Sequence, residues 1–437
     1  MLATSQTNNY QSILPSTEPS DEKDDGKNRI GTFQLAILVF YVVSGGPYGT
    51  EDSVRSGGVY WALLGFAVMP FVWSLPEALM TAELGCAFPE ASGNVVWVEA
   101  AFGPYAGWIS GCLKWVAGAT DNSVYPGLFL DYLLKLLFAS ERDPVTPLVH
   151  FFIVLLISII LSYVNYRGLP VVGNLSITIS LLTMGPFILF CLMAIPHVKP
   201  SRWLQTPTYV EGQNFGFDLS GGFFPNTIVG GVMVRPFLNN LYWCLNSFDS
   251  AGNFAGDVKH PQEKTFSRGM LWGLAFVAMS YLLPLLMATG VADAPQSAWV
   301  NGYLETVTYS IGGPILGLWL VFGAAICNIG RFEAELSSDS FLLMGMADRG
   351  YLPKFLSHRS PYGTPTVGIL ISFAVIILCL TKGLSTVVAM ENCCYTVYVS
   401  CIRAAYVISR VVVAGLLSWS IRPSFGCEFL NLTVRCF

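Results

Sequence analysis

Asp121 and Tyr125 stand one helical turn apart in "LKWVAGATDNSVYPGLFLDYL" (113–133), a spacing that puts a carboxylate and an aromatic ring on one helix face. Asp249 lies in "NSFDSAGN" (246–253), beside Phe248 and close to Trp243. Glu51 and Asp52 close the stretch "SGGPYGTED" (44–52). Glu77, Glu83, Glu333, Glu335, Asp339 and Glu391 also fall inside or beside long apolar runs. Acids in such surroundings are costly, and they mark solute or proton pathways. A carboxylate next to an aromatic face suits a positively charged organic solute.

Each acid has two readings. Glu51 and Asp52 are amine ligands at the outer end of a cavity, or solvated acids at a helix end. Asp121 serves substrate or proton, or hydrogen-bonds between helices. Asp249 is the best amine ligand, or a cap for the half-helix after it. Glu77, deeper than Glu83, is a proton-relay candidate, whereas Glu83 reads as structural. Glu333, Glu335 and Asp339 read as an ion-paired group near Arg331, with Glu335 also a proton-coupling candidate. Glu391, beside Asn392, is a candidate for substrate or proton. Tyr48, Trp243 and Phe248 are aromatic walls, or ordinary packing.

The elements that hold these residues must cross a membrane. Of 437 residues, 53% are hydrophobic and only 12% charged, against about 25% charged in a soluble domain. The apolar runs predict ten spanning segments at about 33–55, 59–84, 105–135, 147–164, 170–196, 227–256, 266–290, 313–343, 364–381 and 385–402. Lys23, Lys27, Arg29, Arg167, Lys259, Lys264, Arg268, Arg349, Lys354 and Arg359 all fall on one side if these alternate. The side opposite carries Arg55, Arg142, Lys199, Arg202 and Lys382, which places the N-terminus in the cytoplasm. Residues 1–30 read as a disordered tail.

Two segments are interrupted. The first contains Gly45, Gly46, Pro47 and Gly49; the sixth contains Asn246, Ser247, Asp249, Ser250, Gly252 and Asn253, all weak helix formers. They lie five segments apart, so they run oppositely through the bilayer, as in an inverted repeat. Unwound backbone in a membrane is expected to survive only where it lines a cavity. The N–H groups of Ser44, Gly45 and Gly46, and carbonyls near Asn246, are therefore expected to be free to contact a solute. A half-helix N-terminus suits a carboxylate, but Glu51 and Asp52 would repel one, which favours a cation.

"GCAFPEASGNVVWVEAAFGP" (85–104) resembles the loop after the second helix in the amino acid–polyamine–organocation (APC) superfamily. Residues 113–133, "GDVKHPQEKTFSRGM" (256–270) and "AELSSDSFLLMGMADRGYLPKFLSHRSPYGTP" (334–365) look more specifically like plant polyamine uptake transporters, also described as L-type amino acid transporters. The resemblance spans about 31–400. It implies an all-α polytopic membrane protein with an APC/LeuT-like 5+5 inverted-repeat core at 31–402. It also implies alternating access and proton-coupled uptake of putrescine, spermidine or spermine, with paraquat a further substrate of some relatives. Such a site needs carboxylates along a slot and aromatic walls for the methylenes. Relatives resemble twelve-helix proteins, whereas 403–437 diverges, so helices eleven and twelve read as missing or replaced.

The expected partners are an organic cation, protons and the lipid bilayer, with association with full-length isoforms as an added expectation. The membrane is the plasma membrane or an endomembrane. A net charge of −5 argues against nucleic acid. No GxSxG, HExxH or Walker pattern occurs, the 11 cysteines show no CxxC pair, and the four histidines sit near segment ends or in loops. No enzyme activity, cofactor or metal is expected. The alternatives are an amino acid carrier on the same fold and a transport-inactive truncated form with a regulatory role.

Overall fold

The protein is represented by a computed structural model that describes residues 29–137, 146–208, 228–300, 302–380 and 384–418. Nearly all of the expected N-terminal tail, Arg142, Lys382 and residues 419–437 lie outside the described residues.

The first expected segment is broken where its glycines and proline fall. Helix α1 (Thr32–Val43) ends at Ser44, and helix α2 (Glu51–Met69) begins after a non-helical stretch. Gly58 turns the chain inside α2 at φ 76°. A π-helical turn (Pro70–Ser74) then leads into α3 (Leu75–Ala87). After the short α4 (Asn94–Phe102), the expected 105–135 segment is two helices, α5 (Pro104–Asn122) and α6 (Tyr125–Leu137). The turn at Ser123–Val124 parts them just after Asp121. Helices α7 (Pro147–Tyr166) and α8 (Leu169–Ala194) follow.

The sixth expected segment begins with a small antiparallel hairpin, β1 (Ile228–Val229) and β2 (Val232–Met233). It continues as α9 (Val234–Cys244), then a 3-10 helix, Phe248–Asp257. Next come α10 (Gln262–Val291), α11 (Tyr303–Asp348, turned at Gly313), α12 (Thr366–Cys379) and α13 (Leu384–Ser418). The last helix does not stop near 402; it runs without interruption into the divergent stretch.

Among the described residues, five helical stretches are long and apolar enough to cross a membrane: Glu51–Ala87, Pro147–Tyr166, Leu169–His197, Gln262–Val291 and Tyr303–Asp348. The other expected spans are broken, short or rich in polar groups. Large apolar side chains such as Leu181, Ile315 and Leu378 are exposed, whereas the ionisable Glu77, Lys114, Asp249 and Glu333 are buried. Apolar outside and ionisable within is the arrangement that lipid imposes.

The core is wound around α1, whose Leu35, Ala36, Leu38 and Val39 are fully buried. Close approach of α10 is made by glycine. A Cβ on Gly269 would lie 2.6 Å from Leu35, and one on Gly273 would lie 2.6 Å from Val39 and 3.2 Å from the Ala36 carbonyl. These pairs, one turn apart on both helices, form the small-residue seam expected where lipid gives no hydrophobic drive to helix association. Below it, the start of α1 joins the end of the 3-10 helix: Ile30 N–H donates to the Asp257 carbonyl (3.0 Å), and Lys259 N–H to the Ile30 carbonyl (2.8 Å).

Gly273→Leu forces α10 off α1 at a point where the stiff β-branched Val39 side chain and, behind it, the Ala36 carbonyl stand in the way. We expect a loss of about 1–3 kcal/mol, read as a smaller monodisperse peak in detergent size-exclusion chromatography and a lower melting temperature than for Ser280→Ala.

Candidate functional site

The two breaks are shaped by residues that tolerate unusual backbone. Gly45 and Gly46 have φ of 72° and 135°, open to glycine at little cost. Ser247 is the single non-glycine described residue with positive φ, 72°, a conformation that costs of order 1–3 kcal/mol and clusters at functional sites. It is held there by its N–H donating to the Tyr395 hydroxyl (3.2 Å). Asn240 ties the breaks together from α9: its Nδ2 donates to the Gly49 carbonyl (2.9 Å) and the Ser53 hydroxyl (2.8 Å).

The backbone of the first break is not open to a solute in this conformation. Ser44 and Gly45 N–H both donate to the Phe40 carbonyl (2.8 and 3.0 Å), and Gly46 N–H donates to Ser44 Oγ (3.1 Å). The expectation that these donors are free is corrected: a shared C-terminal cap and a serine turn satisfy all three before any ligand arrives. Near the second break, the Leu245 carbonyl accepts from Ser74 Oγ (2.8 Å) and the Ser247 carbonyl from Ser250 N–H (3.2 Å). Asn246 keeps a buried Nδ2 without a partner.

Between the breaks, α5–α6 and α11 face each other with charged stripes. Lys114, Asp121 and Tyr125 line one; Arg331, Glu335 and Asp339, each one turn apart, line the other. Gly118 lets them meet, since a Cβ there would lie 2.8 Å from the Asp339 carboxyl carbon. Helix α13 adds Glu391, Tyr395 and Tyr398. Lys114, Asp121, Glu335, Glu391, Ser247, Tyr395 and Tyr398 share one predominantly polar cavity of about 30 Å³. That is room for a water or two, not for an organic cation, so the described conformation is closed around its centre.

Asp249, at zero exposure, is linked to this cavity through Lys114, and its amine is already present: Lys114 Nζ donates to Asp249 Oδ2 in a buried ion pair. The cap reading of Asp249 is corrected, because the half-helix is entered through Ser247 without a side-chain cap. Asp249 Oδ1, Glu391 Oε2 and Asp339 Oδ2 are buried without a hydrogen-bond partner. Tyr125 Oη donates to Asp121 Oδ2, as their spacing predicts. Arg331 lies against Gly45, 5.4 Å from the Trp243 ring centre and 5.7 Å from that of Tyr125. No ion pair within 4.0 Å joins Arg331 to an acid among the described residues, so the expected ion-paired group is corrected. Glu333 instead turns away and accepts from Asn165 Nδ2 (3.2 Å).

Asp121, Tyr125, Trp243, Asn246, Asp249, Glu335 and Glu391 are thus brought together. Others are not. Glu51 is 2% exposed, neither solvated nor facing the cavity. It accepts from the N–H groups of Gly49 (3.0 Å), Gly302 (3.2 Å) and Leu304 (3.4 Å), so it caps the first turn of α11. Asp52 faces Arg55 (3.7 Å). Tyr48 donates to the Leu320 carbonyl (3.2 Å) and packs on Phe187, in a crevice with Glu51. Phe248 is fully buried in the apolar core, not a cavity wall. Glu77, by contrast, does adjoin the central group: it accepts from the Asp249 backbone N–H and is close enough to interact electrostatically with Lys114, and it lies 3.4 Å from Arg403, whose guanidinium stacks 3.5 Å above Trp73. Arg410 pairs with Glu83. The side chain of Asn392 lies outside the described residues.

Sequence reasoning passed over Lys114, Tyr395 and Tyr398. A signal existed for the first: a lone lysine inside an apolar helix, two turns before Asp121, where a buried cation demands a partner. The tyrosines carry no such signal, because aromatic residues are common throughout the chain.

A family profile described as amino acid permease matches residues 30–420. Polyamine transporter RMV1 of Arabidopsis thaliana is 40% identical over 383 residues, covering 87% of this chain and 73% of that protein. Polyamine transporter PUT1 of Oryza sativa subsp. japonica is 39% identical over 398 residues, 91% of this chain and 70% of that protein. Arginine/ornithine antiporter ArcD2 of Lactococcus lactis is 22% identical over 353 residues, 77% of this chain and 69% of that protein.

Glu51→Ala strips the acceptor from the amides of Gly49, Gly302 and Leu304. Leaving buried donors unmade costs about 1–3 kcal/mol. We expect a lower melting temperature in detergent and faster amide exchange at 302–304, whereas Glu51→Gln, which keeps one acceptor oxygen, falls between the two.

Proposed function

This chain belongs to the amino acid permease family, and we propose that within it the protein carries polyamines, such as putrescine, spermidine and spermine, across a membrane. It is an integral membrane transport protein and not an enzyme. The observation that carries the substrate reading is the imbalance of charge at the centre. Asp121, Asp249, Glu335, Asp339 and Glu391 gather there against Lys114 and Arg331. A surplus of carboxylates in a low-dielectric interior requires cations or protons to complete it. A polyamine brings several ammonium groups on a flexible chain, and Tyr395 and Tyr398 offer ring faces for it. The relatives named as polyamine transporters support the same substrate class.

The satisfied N–H groups of the first break weigh against an amino acid, whose carboxylate would need them. The arginine/ornithine antiporter supports the second reading, a cationic amino acid carrier. In our reading, protons complete the charge whenever substrate does not. Glu391 and Glu335 are the coupling candidates and Glu77 a third, engaged by Arg403. The two breaks are the corresponding points of a 5+5 inverted repeat that rocks by alternating access, with the N-terminus in the cytoplasm and the plasma membrane as its site.

Labelled spermidine uptake in yeast lacking polyamine uptake, at acidic and neutral pH with and without an uncoupler, tests this. We expect uptake favoured by acid and abolished by the uncoupler, with competition from putrescine but not from leucine. Asp249→Asn, which strands Lys114, reduces uptake by about tenfold or more, and Glu391→Gln flattens the pH dependence. Surface-expressed protein that takes up no spermidine, or for which arginine competes and putrescine does not, overturns the reading.

A further inference from the structure

The Lys114 side chain is a primary ammonium on a four-methylene stem, the same unit that ends a putrescine or spermidine chain. It sits on Asp249 with 3% exposure, at the wall of the central cavity, with its Nζ 5.2 Å from the centre of the Tyr398 ring. A carboxylate and an aromatic face is the arrangement an incoming amine would seek. The pair is also poised to open. Asp249 Oδ1 is buried and has no partner, so a second ammonium can engage it before Lys114 leaves. Glu335 is close enough to interact electrostatically with both Lys114 and Asp249, which gives a displaced lysine a second carboxylate to move to. Asp249 stands two residues from Ser247, whose left-handed backbone marks the point where the segment is already unwound.

We propose that Lys114 is a tethered ligand. Its ammonium group fills, on Asp249, the subsite that a substrate amine occupies during transport, and so permits the unloaded protein to reorient. This rests on the polyamine reading above. The physical reason is that an emptied Asp249 would be an uncompensated charge at zero exposure, and breaking a buried pair by removing one partner is strongly unfavourable. With Lys114 in place, the site is occupied whether or not substrate is bound. Without it, the protein crosses its barrier only when loaded, which confines it to exchange of one polyamine for another. The lysine is also a competitor, so its loss exposes the carboxylate to substrate.

The test uses the full chain in proteoliposomes with labelled spermidine, comparing net uptake into empty vesicles with exchange against internal unlabelled spermidine. Wild type should show both. Lys114→Met should lose net uptake by about tenfold or more while exchange stays within about twofold, and should bind spermidine about tenfold more tightly in a thermal-shift titration. Lys114→Arg, which keeps a cation, should retain net uptake. Lys114→Met with Asp249→Asn removes both charges and should return the ratio of net uptake to exchange to the wild-type value at reduced affinity; Lys114→Gln is the second single variant should the methionine form not purify as a monodisperse species. Equal loss of both modes in a well-folded variant, unchanged net uptake, or a double variant that keeps the low ratio overturns the proposal. A wild type that moves leucine or arginine but not spermidine overturns the substrate reading, and this inference with it.

Discussion

Taking an ionised carboxylate out of water without a partner is among the largest penalties a fold can incur, and this protein buries several at its centre. The Lys114–Asp249 pair and the Arg331 guanidinium answer part of that demand. The rest of the architecture is arranged around them. Gly118 brings α5 against the Asp339 carboxylate, Gly45 makes room for Arg331, and Tyr395 holds the second break in register with α13. Oδ1 of Asp249 and Oε2 of Glu391 remain unpaired, the demand that the proposed polyamine would meet.

Backbone saturation is the second constraint. A chain unwound inside a membrane must still pair its amides. In the first break it does so locally, through Phe40 and Ser44, and in the second through Ser74, Tyr395 and Ser250. The glycines therefore serve conformation and close approach more than ligand contact. Of the second break, Ser247 and Ser250 line the cavity, and Asp249 is linked to it through Lys114.

The centre is closed at both ends by polar contacts of different character. At one end, Glu51 gathers backbone amides of its own break and of the start of α11. At the opposite end, Arg349 forks onto Glu90 (2.8 and 3.0 Å) and also bonds Glu99, while Arg359 pairs with Asp257 (2.8 Å). Asn253 Nδ2 donates to Ser338 Oγ (2.9 Å), locking the 3-10 helix to α11. Fork-like arginine contacts of this kind fix orientation.

Much of this was legible in the sequence. Composition fixed the solvent, glycine and proline placed the breaks, and the one-turn spacing of Asp121 and Tyr125 was realised as a hydrogen bond. These features are local, or follow from a single helix period. Which acid meets which base was not legible, because it depends on how helices far apart in sequence rotate against one another. Lys114 and Asp249 are separated by 135 residues, and Arg403 and Glu77 by 326. The same limit misplaced Glu51, assigned to solute by its position after a break but directed by tertiary packing to the amides of Gly302 and Leu304. Sequence determined that ionisable groups would be buried in this membrane protein; only the packing of its helices decided which carboxylates meet a base of the same chain and which stay unpaired, since Coulomb energy depends on distance in space and not along the chain.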